Sequence, residues 1–454
     1  MDKDIIIQNL LEENRLLRAQ VLEQSKIIES LKLEIQQLKT RKNSNNSSIP
    51  PSVDLSRKNK SLRTPSGKKP GGQPGHEGST LKMVENPDEV HKLMPEFCNH
   101  CGKILTEIIP HFENKRQVVE IPPTYPIYKE YQVFSKKCNC GHIQKSDYPD
   151  GVTNNIQYGA SVEALLAYLS VYQYVPSKRL QEFLAHSFNL HLSQGSIANK
   201  LAVLEKKAYE FYQLIKEQIK NSKQVGSDET GVKINGNKSW IWVWQNSLFT
   251  FISASEGRGK ATIDKLFPNG FPKSIINSDR WLAQLNTEAK GHQLCTSHLL
   301  RNLNFLIESE KTIWAEEMKT LLMKAIDTKR EYPELVKDNP IAIEIENEMN
   351  KLLATPLDKS KVPKTLNLQK ALTKHREFIF PFLYHAEVPP DNNGSERAIR
   401  NVKVKQKISG QFKTGQSAFC VLRSIIDTCI KNKIDVLEAL NLIAKNPMPQ
   451  VATE

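Results

Sequence analysis

The sequence predicts a multidomain α+β protein with four parts. They are an N-terminal coiled coil, a zinc ribbon-like β-unit, a helical helix-turn-helix module, and an α/β domain with a helical insertion. Three observations predict it. A heptad repeat fills residues 7–38, two cysteine knuckles flank a strand-like stretch, and a β-β-β-α-β run carries acids on two of its strands. At 454 residues the chain also exceeds what one compact core organises.

The first part, 1–42, is the coiled coil, a leucine zipper. Ile7, Asn14, Val21, Ile28 and Ile35 fall at heptad position a, and Leu10, Leu17, Gln24, Leu31 and Leu38 at d. β-branched residues at a with Leu at d favour two parallel strands, and one Asn at a fixes register, so a homodimer or a higher assembly is expected. Residues 43–88 read as a basic, disordered linker. Between 41 and 80, Arg41, Lys42, Arg57, Lys58, Lys60, Arg63, Lys68 and Lys69 face only Asp54 and Glu77, and nothing there builds a core. Such charge favours phosphate contact without sequence preference.

Residues 89–150 hold Cys98, Cys101, Cys138 and Cys140, with His142 close by. The strand-like sequence between the pairs suggests a small β-domain held by four thiolates on a structural Zn2+. The second pair is Cys-x-Cys, tighter than usual, and His142 is a substitute ligand. Residues 155–220 read as three helices at 160–174, 177–188 and 193–220. Ser193 is the candidate cap of a recognition helix whose polar side is Gln194, Ser196, Asn199 and Lys200. An ordinary helical bundle is the competing reading.

Residues 221–415 are the α/β domain, with a helical insertion at about 300–388, and 416–454 a C-terminal helical tail. Strands are expected at 223–234, 239–246, 248–255 and 273–281, a turn at Asn235–Gly236, and a helix at 258–268. This order is the layout of the ribonuclease-H-like fold, in which the first and fourth strands are neighbours. Asp228 on the first strand and Asp279 at the end of the fourth would then meet. Glu229 points to the opposite face from Asp228. Glu396 is the candidate third acid, and Glu396, Arg400 and Lys403 recur on one helical face. Two like charges 4 Å apart repel by roughly 4 kcal/mol at an effective dielectric near 20. Two Mg2+ (or Mn2+) ions remove that cost and support in-line phosphoryl transfer.

Charge agrees with a polyanionic partner. There are 63 Lys and Arg against 50 Asp and Glu, a formal +13. Residues 397–425 carry seven basic residues and no acid, among them Arg397, Arg400, Lys403, Lys405 and Lys407. No stretch is long and apolar enough to span a membrane, and the N-terminus lacks signal-peptide character, so a cytoplasmic, nucleoid-associated protein is expected.

The motifs "NSSIPPSVD" (46–54), "KKPGGQPGHEG" (68–78), "SDETG" (227–231), "SDRW" (278–281), "CTSHLLRNL" (295–303) and "DNNGSERAIRNVKVKQKISG" (391–410) stand beside the two knuckles. With them the chain resembles DDE transposases of the insertion-sequence 66 family nearly end to end. The resemblance implies an enzyme that binds transposon ends, cuts there and joins them to target DNA. It implies Asp228, Asp279 and Glu396 as the acid triad and small accessory proteins of the same element as partners. Trp281 and the short second knuckle depart from the pattern. The alternative is a non-catalytic DNA-binding regulator or domesticated relative. "CTSHLLRNL" stays open at this point: Cys295 and His298 form a Cys-x-x-His pair or a structural support, and Arg301 is a candidate phosphate contact.

Overall fold

In a computed structural model of the chain, the residues described are 3–40, 42–47, 49, 54, 75, 81–413 and 415–446. Most of the expected linker, including Arg57, Lys58, Lys60, Arg63, Lys68 and Lys69, lies outside them, as does the end of the chain from 447 on. Helix α1 (Lys3–Lys39) is uninterrupted, as the heptads require. Ile7, Leu10, Leu17, Val21, Ile28, Leu31 and Ile35 stay 49–60% exposed on the single chain. The contacts of α1 with the helix at Thr296–Glu310 leave this apolar stripe largely uncovered.

The cysteine region contains one small sheet, β1 (Ser135–Lys137) paired antiparallel with β2 (Ile143–Lys145). The longer strand-like stretch before β1 carries no regular secondary structure and forms no ladder. Pro122, Pro123 and Pro126 have no N–H to donate there. Ile121 and Ile127 are 92% and 84% exposed, so no core holds these residues as strands.

Three helices follow: α2 (Ala160–Ala167), extended by a π-helical turn at Tyr168–Tyr172, α3 (Ser177–Phe188) and α4 (Gln194–Lys220). Helix α3 stops where Asn189 turns left-handed, at φ 50°. Helix α4 starts where the Ser193 hydroxyl accepts a hydrogen bond from the Ser196 N–H at 3.0 Å. Leu166, Leu180, Leu184, Leu192 and Ile197 form a small core joining the three.

The central sheet has strands β3 (Gln224–Ile234), β4 (Asn237–Gln245), β5 (Thr250–Ser255), β6 (Phe271–Ser278) and β7 (Ala289–Leu294). Their order is β5-β4-β3-β6-β7. The first three are antiparallel neighbours, while β6 runs parallel to both β3 and β7. Asn235 and Gly236, at φ 48° and 81°, make the tight turn between β3 and β4. Two positive φ values match the twist of a two-residue hairpin. Helix α5 (Lys260–Leu266) crosses from β5 to β6, and the short α6 (Leu282–Leu285) leads to β7.

Beyond β7 come α7 (Thr296–Glu310), α8 (Ile313–Glu331), α9 (Pro340–Ala354), α10 (Pro363–Lys374), a 3₁₀ turn at Arg376–Phe378 and α11 (Pro381–Tyr384). Trp314, Met318, Leu322, Ile345 and Phe382 give them a core of their own, which extends to Ile275 and Leu294 of the sheet. Helices α12 (Asn393–Ser409), α13 (Gln416–Lys431) and α14 (Val436–Lys445) complete the chain.

The far half of α4 and nearly all of α13 pack on the sheet. Tyr212 of α4 stacks on Phe251 at 4.7 Å and donates its hydroxyl to Ile252 O at 2.9 Å. Phe419, Leu422 and Ile426 of α13 lie in the same core as Val225, Trp242 and Trp244. Burying each such side chain stabilises by roughly 1.5–3 kcal/mol, which a loose tail would forgo. Residues 43–47, read as linker, form a turn on α7. There the buried Asn46 donates its Nδ2 to Glu308 Oε2 at 2.5 Å, and Asn304 Nδ2 donates to Asn45 O at 3.0 Å.

Candidate active site

Strand register relates the first two acids. β3 and β6 pair Gln224 with Ile275, Val225 with Ile276 and Gly226 with Asn277. The offset is 51 positions (275 − 224), and the same offset separates Asp228 from Asp279. The pairing itself ends at Gly226 and Asn277, and Asp279 follows the last residue of β6; continued two residues, the register would set the two acids opposite each other, and the Asp279 charge does act on Asp228. Asp279 turns its Oδ1 onto the Trp281 N–H at 2.9 Å.

Glu396 arrives on the first turn of α12, and two glycines permit the approach. A Cβ on Gly226 would lie 2.6 Å from Gln245 Nε2, 2.6 Å from Ser395 Oγ and 2.7 Å from Asn392 Oδ1. One on Gly394 would lie 2.5 Å from Gln245 Nε2. The loop before α12 is strapped down as tightly. Asn392 Nδ2 donates to Ser227 O at 2.7 Å, and Asn277 Nδ2 donates to Pro389 O and Asp391 O at 2.8 and 2.9 Å. Thr296 N–H donates to Pro390 O at 3.0 Å, and the Asn392 N–H to Cys295 Sγ at 3.2 Å. Burial pushes the Cys295 thiol up to about 12. Cys295 is thus a buried support of this loop, which bears on half of the "CTSHLLRNL" question.

His298 and Arg301 bear on the other half. Arg301 Nη2 donates to Glu396 Oε1 at 3.0 Å, and His298 Nδ1 lies 3.8 Å from the same oxygen. Burial, then the Arg301 charge, lowers the His298 pKa, which favours the neutral imidazole. The signal was legible in the i, i+3 spacing of His298 and Arg301, which puts both on one side of α7.

The electrostatics are those of acids crowded together. Burial, followed by the charges of Glu229 and Asp279 and more weakly of Glu396, pushes the Asp228 carboxyl well above the usual carboxylate range. The Glu229 N–H opposes this by donating to Asp228 Oδ1 at 2.9 Å. Glu229 carries its own counter-ion, though burial still raises its carboxyl. Its carboxylate is nearly buried and pairs with Arg258 at 2.7 Å, while Gln284 Nε2 donates to its Oε2 at 3.1 Å. The Arg258 guanidinium also stacks on Trp281 and Trp240, 3.9 and 4.8 Å from the ring centroids. Trp281, unexpected at its position, thus holds the cation that pairs with Glu229.

Oxygen ligands from three carboxylates suit a hard divalent cation. Among the described residues, though, no three His, Cys, Asp or Glu side chains converge closely enough to hold a metal ion as they stand. Glu396 is engaged with Arg301 instead.

The four cysteines come as two pairs. The backbone N–H groups of Cys101 and His100, then the Cys101 side chain, lower the Cys98 thiol, and the backbone N–H of Cys140, then its side chain, lower that of Cys138. Each pair sits in a tight turn closed by a glycine, four residues on from Cys98 and three on from Cys138. Gly102 N–H donates to Cys98 O at 2.8 Å and Gly141 N–H to Cys138 O at 2.9 Å, with both glycines at positive φ. Neither pair gains a third ligand among the described residues.

The expected DNA-contact residues divide. Gln194 and Asn199 are exposed at the start of α4. The Ser196 hydroxyl is 2.9 Å from the capping Ser193 hydroxyl. Lys200 is turned inward: with Lys207 it bonds the buried Glu163, each at 3.0 Å. On α12, Arg397, Arg400, Lys403 and Lys407 are exposed and Lys405 is half-buried. Lys403 Nζ also reaches Gly231 O on β3 at 3.0 Å.

The family comparisons bear on the same region. A model described as the transposase IS66 family matches residues 155–419, and one described as a family of unknown function matches residues 4–82. No curated protein matches the chain. No described helix is long and apolar enough to cross a membrane.

Proposed function

Since the chain belongs to the IS66 family of transposases, we propose that it binds the ends of an insertion sequence, cleaves there and transfers the cut strand to target DNA. The reaction would be metal-dependent phosphoryl transfer at Asp228, Asp279 and Glu396, on a sheet of ribonuclease-H-like type. One observation supports this reading: the charges of Asp279, just beyond β6, and of Glu396 on α12 both act on Asp228 of the neighbouring strand β3. A buried carboxylate among other acids is costly, and a site for cations is the economical reason to keep it.

Asp228, Asp279 and Glu396 would hold the Mg2+ ions, with Glu396 leaving Arg301 to do so. When bound, the ions activate the attacking water or 3′-hydroxyl and stabilise the leaving oxygen. Asn392, Asn277 and Cys295 fix the loop that presents Glu396. Arg397, Arg400 and Lys403 supply positive charge beside the acids for the DNA backbone, and Gln194 and Asn199 are the exposed candidates for end recognition. The α1 stripe pairs with a second copy as a coiled coil. The two cysteine pairs are half-sites that would close on one structural Zn2+.

The test is a cleavage and strand-transfer assay with labelled element-end DNA, a target plasmid and Mg2+, comparing the wild type with Asp228→Asn, Asp279→Asn and Glu396→Gln. Joined product in the wild type alone, abolished by chelation, is the expected result. End binding that is indifferent to chelator, with no cleavage in any metal, would make the chain a DNA-binding regulator instead.

A further inference from the structure

Among the described residues, Glu396 is the one member of the proposed acid triad in an ion pair, and the way it is held has a mechanistic consequence. Arg301 Nη2 and His298 Nδ1 of α7 approach the same oxygen, Glu396 Oε1, at 3.0 and 3.8 Å. The groups are largely but not fully enclosed, with the Arg301 and Glu396 side chains 22% and 30% exposed. Among the described residues the buried Arg301 Nε has no hydrogen-bond partner, so one donor of the Nε–Nη2 edge is unused. A divalent cation and a guanidinium cannot share one carboxylate oxygen comfortably, because they compete for its lone pairs and repel each other.

We infer that Arg301 is an exchangeable counter-ion, displaced from Glu396 when a divalent cation enters and then taken up by a phosphate of the DNA. Release of Nη2 joins the free Nε into a two-donor fork, the arrangement that binds phosphate bidentately. Metal binding and DNA binding are thereby coupled through one side chain: each removes a competitor of the other. Without metal, Arg301 neutralises Glu396; with metal and DNA, each of the three charges has a new partner. This inference rests on the metal-site reading above and adds to it the coupling.

The experiment titrates Mn2+ into the full-length chain without DNA, followed by electron paramagnetic resonance, for the wild type, Arg301→Gln, Arg301→Lys and Asp228→Asn. DNA binding is then measured with and without Mn2+ over a range of salt. Arg301→Gln should bind Mn2+ about three- to tenfold more tightly than the wild type, having lost the competing cation. It should also lose the Mn2+ enhancement of DNA binding, and its log–log salt slope should fall by about one. Arg301→Lys keeps the charge but not the fork. It should bind Mn2+ like the wild type yet lose most of the enhancement, so it carries the test if the glutamine variant folds poorly. Unchanged or weaker Mn2+ binding by Arg301→Gln, or full enhancement in Arg301→Lys, overturns the inference. If Asp228→Asn abolishes Mn2+ binding in the same experiment, the metal-site reading survives that result. A wild type that binds no Mn2+ overturns both.

Discussion

Adding one methyl group to β3 should disable the site without touching an acid. A Cβ on Gly226 would stand 2.6 Å from both Gln245 Nε2 and Ser395 Oγ, whereas ordinary contacts begin at 3.4 Å. In Gly226→Ala the first turn of α12 must therefore retreat by about 0.8 Å (3.4 − 2.6). The neighbouring side chains cannot swing aside cheaply, because Ser395 Oγ donates to Asn392 Oδ1 at 2.6 Å and Asn392 is bound to Ser227. Overpacking of this kind costs about 1–3 kcal/mol, which a domain of this size survives. Glu396 moves with Ser395, and misplacing a catalytic group by about 1 Å costs on the order of 10²-fold in rate. The assay is single-turnover cleavage of labelled element-end DNA in Mg2+, with a thermal melt of the same preparation. Gly231→Ala is the control, since its Cβ would meet Trp240 at an ordinary 3.7 Å. A folded Gly226→Ala protein that cleaves at the wild-type rate would refute the role given to this contact.

Other outcomes are expected. Asp228 binds its proton more tightly in the fold than in the unfolded chain. The stability this contributes is fully present below about pH 3.8 and is lost as pH rises through the raised folded value. In chelator at neutral pH, Asp228→Asn should thus melt above the wild type, by a margin that shrinks towards pH 4; an equal or lower Tm would contradict the crowding of acids. Removing residues 1–40 should convert a dimer to a monomer in sedimentation, and an unchanged mass would show that the α1 stripe does not set assembly. Zinc analysis of the purified protein should find about one ion per chain, lost in Cys98→Ser with altered protease sensitivity of residues 90–150; equal metal content in both would dismiss the half-site reading.

Much of the fold was legible because its signals are local. The alternation of Trp240, Trp242 and Trp244, the Asn235–Gly236 turn and the Ser193 cap each announce an element within a few residues. Strand β7 was not anticipated: "AKGHQL" has a glycine, a lysine and no β-branched residue, and is a strand only because β6 offers it a parallel edge. The place of α13 in the main core was also hidden, since which face of the sheet a distant helix covers is a tertiary matter. At the candidate site, the strand order suggested which acids to pair. Their support by Asn392, Asn277 and Cys295 depends on long-range contacts that spacing does not encode. Lys200 shows the same limit in reverse: a polar residue on a capped helix looks like a DNA contact until Glu163, 37 positions earlier, is seen to bind it.

The most direct test of the acid centre is to locate a metal in it. Crystals of the full-length chain soaked in Mn2+ would be measured at a wavelength where manganese scatters anomalously. The account predicts a peak in ligating contact with the Asp228 and Asp279 carboxylates, with Glu396 turned from Arg301 towards it. An anomalous peak elsewhere, with these three acids still unligated at saturating Mn2+, would contradict it.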